Sequence, residues 1–147
     1  MPDSSAPSIP KVLGGRKIKQ RERHFTQQAL RQLYQVRLGL WFHGFSAWQR
    51  KNRPSVSAQM SGAPLGELLT AITRARRWVP KDTSLIEAIA AQRLLGQHGY
   101  QSTVHIGIAK AGVDPAAHAW LSYQGHVIVG RIPNLGDYTP IPHKRYL

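Results

Sequence analysis

The chain contains no cysteine, and only seven of its 147 residues are acidic. The first absence excludes disulfides, thiolate metal sites and a cysteine nucleophile. The second, set against 20 Lys and Arg, leaves a formal charge of +13 and a surface that attracts acidic partners of any kind. No apolar run approaches the roughly 18–20 residues of a membrane span. The first 15 residues, MPDSSAPSIPKVLGG, lack the apolar core of an export signal, which predicts a cytoplasmic protein. The seven histidines show no HExxH-like spacing, so no zinc site is expected and no cofactor is implied.

What is present argues for one folded domain. Four Trp, five Tyr and three Phe lie within a 41% hydrophobic composition. Residues 1–25 read as a flexible basic tail whose run RKIKQRERH is either solvated, the first turns of a helix, or a docking element for an acidic partner. A single domain is expected over 26–147: a helical half at 26–98, a sheet at 100–131 and a C-terminal loop or edge segment at 132–147.

From about Thr26 the residues Leu30, Leu33, Tyr34, Leu38, Trp41, Phe45 and Trp48 recur at helical spacing, widened by Val36, Leu40 and Phe42. Core packing is the expected use of this face. Its aromatics between Arg37, Arg50 and Lys51 also suit peripheral contact with a membrane surface. A second helix follows Pro64, with a stripe of Leu65, Leu68, Leu69, Ile72 and Ala75, and stops at Pro80. A third begins at Ser84 and is apolar nearly all round, as in a helix at the centre of a domain. Gly99 suits its left-handed end. The period then switches from 3.6 to 2 in STVHIGIA, AAHAWLSY and HVIVG, the last two joined through Gln124-Gly125. The fold class is therefore α+β, with N-terminal helices followed by a small antiparallel sheet packed on a central helix.

Ser84 has two readings. Ser-Leu-Ile-Glu fits a capping box in which Ser84 accepts from the amide of Glu87 and Glu87 reaches back. Ser84 also stands where a helix start would stabilise the anion of a nucleophile and receive an oxyanion on free amides. His118 is either a hydrogen-bonded structural group on a sheet face or a base held near that helix start. A nucleophile on a helix start with a base on a neighbouring strand is the layout of papain-like and transglutaminase-like enzymes.

The stretch from DTSLIEAIAAQRLLGQHGY to AHAWLSYQGHVIVG resembles the protease of lasso-peptide maturation, the microcin-processing family with a transglutaminase-like fold. The resemblance rests on Ser84-Leu85, Leu94-Leu95 with Gly99, Ile106-Gly107-Ile108 and Ala117-His118-Ala119-Trp120, with the upstream QVRLGLWFHGF, and covers about residues 26–140. It implies a peptidase that removes the leader from a ribosomally made precursor, with Ser84 at the nucleophile position and His118 as general base. The precursor, a separate leader-binding companion protein and the lasso cyclase are the partners it implies. It also implies a cysteine at position 84 and an aspartate near 130, where this chain has Ser84 and Gly130. Asp137 is the nearest downstream acid that could orient the imidazole. Ser84 is open to three explanations: a deliberate replacement, a natural member that has given up catalysis, or a working serine. The competing class is a nucleic-acid-binding module carried by charge alone, without a zinc-finger or RNP-type signature.

Overall fold

The computed structural model describes residues 11–51, 55–80, 83–114 and 116–142. Helix α1 (Lys11–Lys51) is broken at Gly44, and α2 (Leu65–Ala75) runs into a short 3₁₀ turn, Arg76–Trp78. Helix α3 (Ser84–Gln97) precedes four strands: β1 (Thr103–Ala109), β2 (Ala117–Tyr123), β3 (His126–Val129) and β4 (Tyr138–Pro140). They form one antiparallel sheet in the order β3-β2-β1-β4. Helices first and sheet second is the expected α+β arrangement.

The core forms where α3 meets everything else. Leu94, Leu95, Ala88, Ala90 and Ala91 are fully buried, and α3 packs against α1, α2 and β1 to β3. An alanine-rich helix lets these neighbours approach closely on several sides, which explains its all-round apolarity. From α1 the buried stripe is Phe25, Ala29, Leu33 and Val36, and from α2 it is Leu68, Ala71, Ile72 and Ala75.

Two expectations for α1 change. Helix begins at Lys11, so the run at residues 16–24 is the early turns of a helix, one of its readings, and residues 11–25 are not a flexible tail. Phe25 enters the core, and Arg21 and Glu22 pair across to Glu67 and Arg74 of α2 at 2.6 and 3.1 Å. The core face also ends earlier than the aromatic series suggests: Leu38 is 48% exposed, Trp41 77% and Phe42 70%. The periodicity was that of one helix face, but α2 and α3 cover only the part centred on residues 25–36. The side chains of Phe45 and Trp48 lie outside the described residues.

The C-terminal stretch reads in sequence as a loop or an edge segment, and residues 138–140 take the second form, pairing as β4 on the free edge of β1. The Gln124-Gly125 hairpin forms as expected, with φ of 49° and 79° as a type I′ turn requires. An unbroken ladder from this turn, as the sequence leads one to expect, would set Ala119 opposite Gly130 and His118 opposite Arg131, but a bulge between Leu121 and Ser122 shifts the register by one, so Leu121 pairs with Val129.

α3 ends in a Schellman arrangement, with the amides of Gly99 and Tyr100 on the carbonyls of Gly96 and Leu95. Buried His98 caps it. Its Nε2 donates to Gln28 Oε1 at 3.0 Å, its Nδ1 accepts from Ser61, and the Gln28 amide continues to His24. Burial, and secondarily the charge of His24, holds the His98 imidazole below its ordinary pKa. The unfolded chain therefore takes up a proton at a pH where the folded chain resists it. That contribution to stability is complete above about pH 6.5 and is lost as pH falls from there through the folded value. Thermal unfolding should show a midpoint that drops between neutral pH and pH 5.5, with a shallower drop in His98→Gln.

Candidate functional site

The site is built where α3 begins. Thr83, in extended backbone (φ −113°, ψ 155°), is the N-cap, and its Oγ1 accepts from the amide of Ile86 at 3.3 Å. This corrects the capping-box reading, because the tandem Thr-Ser offers two cap formers and the upstream one is used. Ser84 becomes the first helical residue, and Glu87 turns instead to Arg76 at 3.1 Å. The Ser84 hydroxyl is released from local capping.

It is taken by β2. Pairing between β2 and β3 stops at Leu121–Val129, and the Ala119 amide finds the Ser84 Oγ at 3.1 Å. A half-buried serine at a helix start thus touches the backbone of the residue after His118. The helix gives the Ser84 position the positive end of its dipole, and the Ala119 N–H adds a donor aimed at Oγ. Among the described residues the amides of Ser84 and Leu85 have no hydrogen-bond partner, as first-turn amides lack intrahelical acceptors.

The imidazole of His118 is buried and bonded through Nε2 to the carbonyl of Gly130 at 2.7 Å. A carbonyl only accepts, so Nε2 carries a proton, which leaves Nδ1 as the acceptor of the neutral ring. Gly130 has φ of 80°, and a Cβ there would stand 2.6 Å from the carbonyl oxygen of Ala119. Glycine alone allows this approach. Rings complete the support. Trp120 lies between His105 and His118, at 5.6 and 6.3 Å between centroids and within 20° of parallel, and Tyr138 sits 5.6 Å from His118. Opposite His118 in β1, Gly107 makes room: a Cβ would come within 2.8 Å of the Trp120 ring.

The Ser84 hydroxyl thus reaches the backbone of β2 at Ala119, one residue from His118. Strand alternation puts the imidazole on the other face of β2 from Leu121, which joins the core. No hydrogen bond joins the hydroxyl to the imidazole. Asp137, at the end of a 3₁₀ turn, contributes its backbone carbonyl to Lys110, and its carboxylate makes no hydrogen bond with His118. The next residue, Tyr138, provides the contact instead. Among the described residues no three of His, Asp and Glu gather as a metal ion would need.

Sequence reasoning missed the Thr83 cap and the Gly130 carbonyl. The only signal for the first was a second cap former beside Ser84. The second leaves no side-chain signal, since any residue brings a carbonyl.

No curated protein and no solved structure matches this chain. A family model, described as the transglutaminase-like superfamily, matches residues 30–143, from the middle of α1 to just past β4. That span holds the helix start bearing Ser84, the strand bearing His118 and the whole sheet, and the chain belongs to the transglutaminase-like superfamily.

Proposed function

We propose that this chain is a leader peptidase of lasso-peptide maturation, with Ser84 at the nucleophile position and His118 as its base. The observation that most supports this reading is the Ser84 hydroxyl, free of capping, on the amide beside His118. The superfamily includes cysteine peptidases and transglutaminases, and both chemistries use a helix-start nucleophile with a histidine.

The residues divide the work as follows. Nδ1 of His118 takes the proton of the nucleophile while Nε2 pivots on the Gly130 carbonyl. For this transfer the Ser84 oxygen must leave the Ala119 amide and meet the imidazole round the margin of β2. Attack on the scissile carbonyl leaves an oxyanion for the amides of Ser84 and Leu85. Collapse of that species breaks the C–N bond as the imidazolium gives its proton to the leaving amine, and a water deprotonated by the same imidazole then hydrolyses the acyl-enzyme and frees residue 84.

The cluster is suited to holding an anion at position 84. A thiol, with an ordinary pKa of about 8.5, can meet that condition near neutrality, whereas an alcohol remains protonated. The Ser84 form therefore binds its peptide and turns it over slowly or not at all. A catalytically silent peptide-binding scaffold of the same superfamily is the second reading, favoured by the hydroxyl resting on Ala119 N.

The test supplies a lasso precursor and a leader-binding companion to the Ser84→Cys protein and follows leader release by mass spectrometry. A single cut, abolished by adding His118→Ala, is expected. A thiol that proves reactive yet never cuts the precursor would retire the peptidase reading and leave the scaffold. Sequence-preferring nucleic-acid binding that survives moderate salt would instead favour the basic-module class.

A further inference from the structure

Large apolar side chains gather on the surface where α1 passes the 3₁₀ turn. The Tyr34 hydroxyl donates to the carbonyl of Trp78 at 3.1 Å, and the Arg37 guanidinium bonds the carbonyl of Pro80. These bonds fix the backbone of the Trp78 turn against α1 at Tyr34 and Arg37, and Leu38 and Trp41 follow Tyr34 along the helix at four- and three-residue spacing. The rings of Trp41 and Phe42 lie against each other with centroids 4.9 Å apart. Trp78 is 73% exposed, comparable to Trp41 and Phe42. Clustered rings left this open mark a surface that is covered in use.

Charge and shape indicate what covers it. No Asp or Glu lies between residues 23 and 66, or between 68 and 81. Arg31 and Arg77 are exposed in those stretches, and Arg37 is half-buried. A second copy of a chain carrying +13 would bring like charge to like charge, so the complement is anionic. The packed rings of Trp41 and Phe42 offer one apolar patch on a helix that also carries Arg31 and Arg37, a combination that anionic headgroups over acyl chains complement. Trp and Phe between arginines partition in this way, rings at the acyl boundary and guanidinium groups among the phosphates.

We propose that Leu38, Trp41, Phe42 and Trp78 dock this chain on an anionic lipid surface. Docking is independent of the chemistry at Ser84, although Trp78 lies only six residues before it, so the start of α3 would work beside the bilayer. No helix among the described residues is long and apolar enough to cross a membrane, and the contact is peripheral.

The full chain is mixed with vesicles of phosphatidylcholine, alone or with about 30% phosphatidylglycerol, and read by co-sedimentation and tryptophan emission. Binding to the anionic vesicles with a blue-shifted emission is expected. The exposed-site variant Trp41→Ser/Phe42→Ser should keep its helical circular dichroism and lose roughly tenfold or more of the partitioning, and Trp78→Ser should lose part of it. Absence of binding to anionic vesicles overturns the proposal. So does binding that these substitutions leave unchanged, which would be charge alone. Equally decisive against it would be capture of polyglutamate, weakened by the same substitutions, without any vesicle binding; that result reassigns the surface to an acidic polypeptide.

Discussion

Ser84→Cys is expected to create a thiol that ionises well below the ordinary value near 8.5, within the range of roughly 3.5–7.5 found at activated sites. Two features act at that atom: the α3 dipole points its positive end there, and the Ala119 amide donates into it at 3.1 Å. The proposed function adds a third, His118 as the holder of the released proton on Nδ1. None of them favours a neutral thiol. The measurement is the rate of iodoacetamide alkylation against pH, which needs no substrate. An inflection at acid to neutral pH is expected, moving upward when His118→Ala is added. A thiol that titrates like a free cysteine, indifferent to His118, would mean that the helix start and the imidazole do not cooperate. Cleavage of the precursor and ionisation of the thiol are separate readouts, so the electrostatics can hold even where the choice of substrate fails.

Leu94→Ala should be the most damaging conservative change in the core. Leu94 is fully buried on α3, with α1, α2 and the sheet packed around that helix. A cavity at such a place has rigid elements on every side and little chance to collapse. The expected loss is about 2–5 kcal/mol. For a domain of this size that is a fall of roughly 5–15 °C in the midpoint of thermal unfolding. Leu38→Ala is the matched control. Half-exposed on α1, it should change stability by no more than about 0.5 kcal/mol. Similar losses for both would mean that α1 packs in solution against something that covers residue 38.

The contrast between those two leucines also shows what the sequence made legible. Short-range pattern carried well. Pro64 and Pro80 bracket α2, alternation marks β1 and β2, and Gln124-Gly125 makes its turn, because each signal acts within a few residues of its cause. Long-range partners did not carry. Leu33 and Leu38 stand on one periodic series, yet only the first is reached by neighbouring helices, and nothing local says where a neighbour ends. Residues 11–25 look like a tail until Phe25, Arg21 and Glu22 meet partners more than forty residues away. The site divides in the same way. Ser84 and His118 stood out as residue types, and the helix start and strand that carry them formed where the pattern placed them. Which of two adjacent hydroxyls caps α3 depends on backbone angles at Thr83, and the bulge at Leu121–Ser122 moved the hairpin register by one.

The oxygen that steadies His118 belongs to the main chain at Gly130, and this has a consequence for how the protein is dissected. Alanine scanning cannot delete a peptide carbonyl, and motif searches will score the position as a missing third residue. Its influence would surface indirectly, when a bulky substituent at 130 forces the polypeptide away from Ala119, or when an ester replaces the amide linkage and weakens the acceptor. The support of this imidazole is written in the polymer itself rather than in its alphabet.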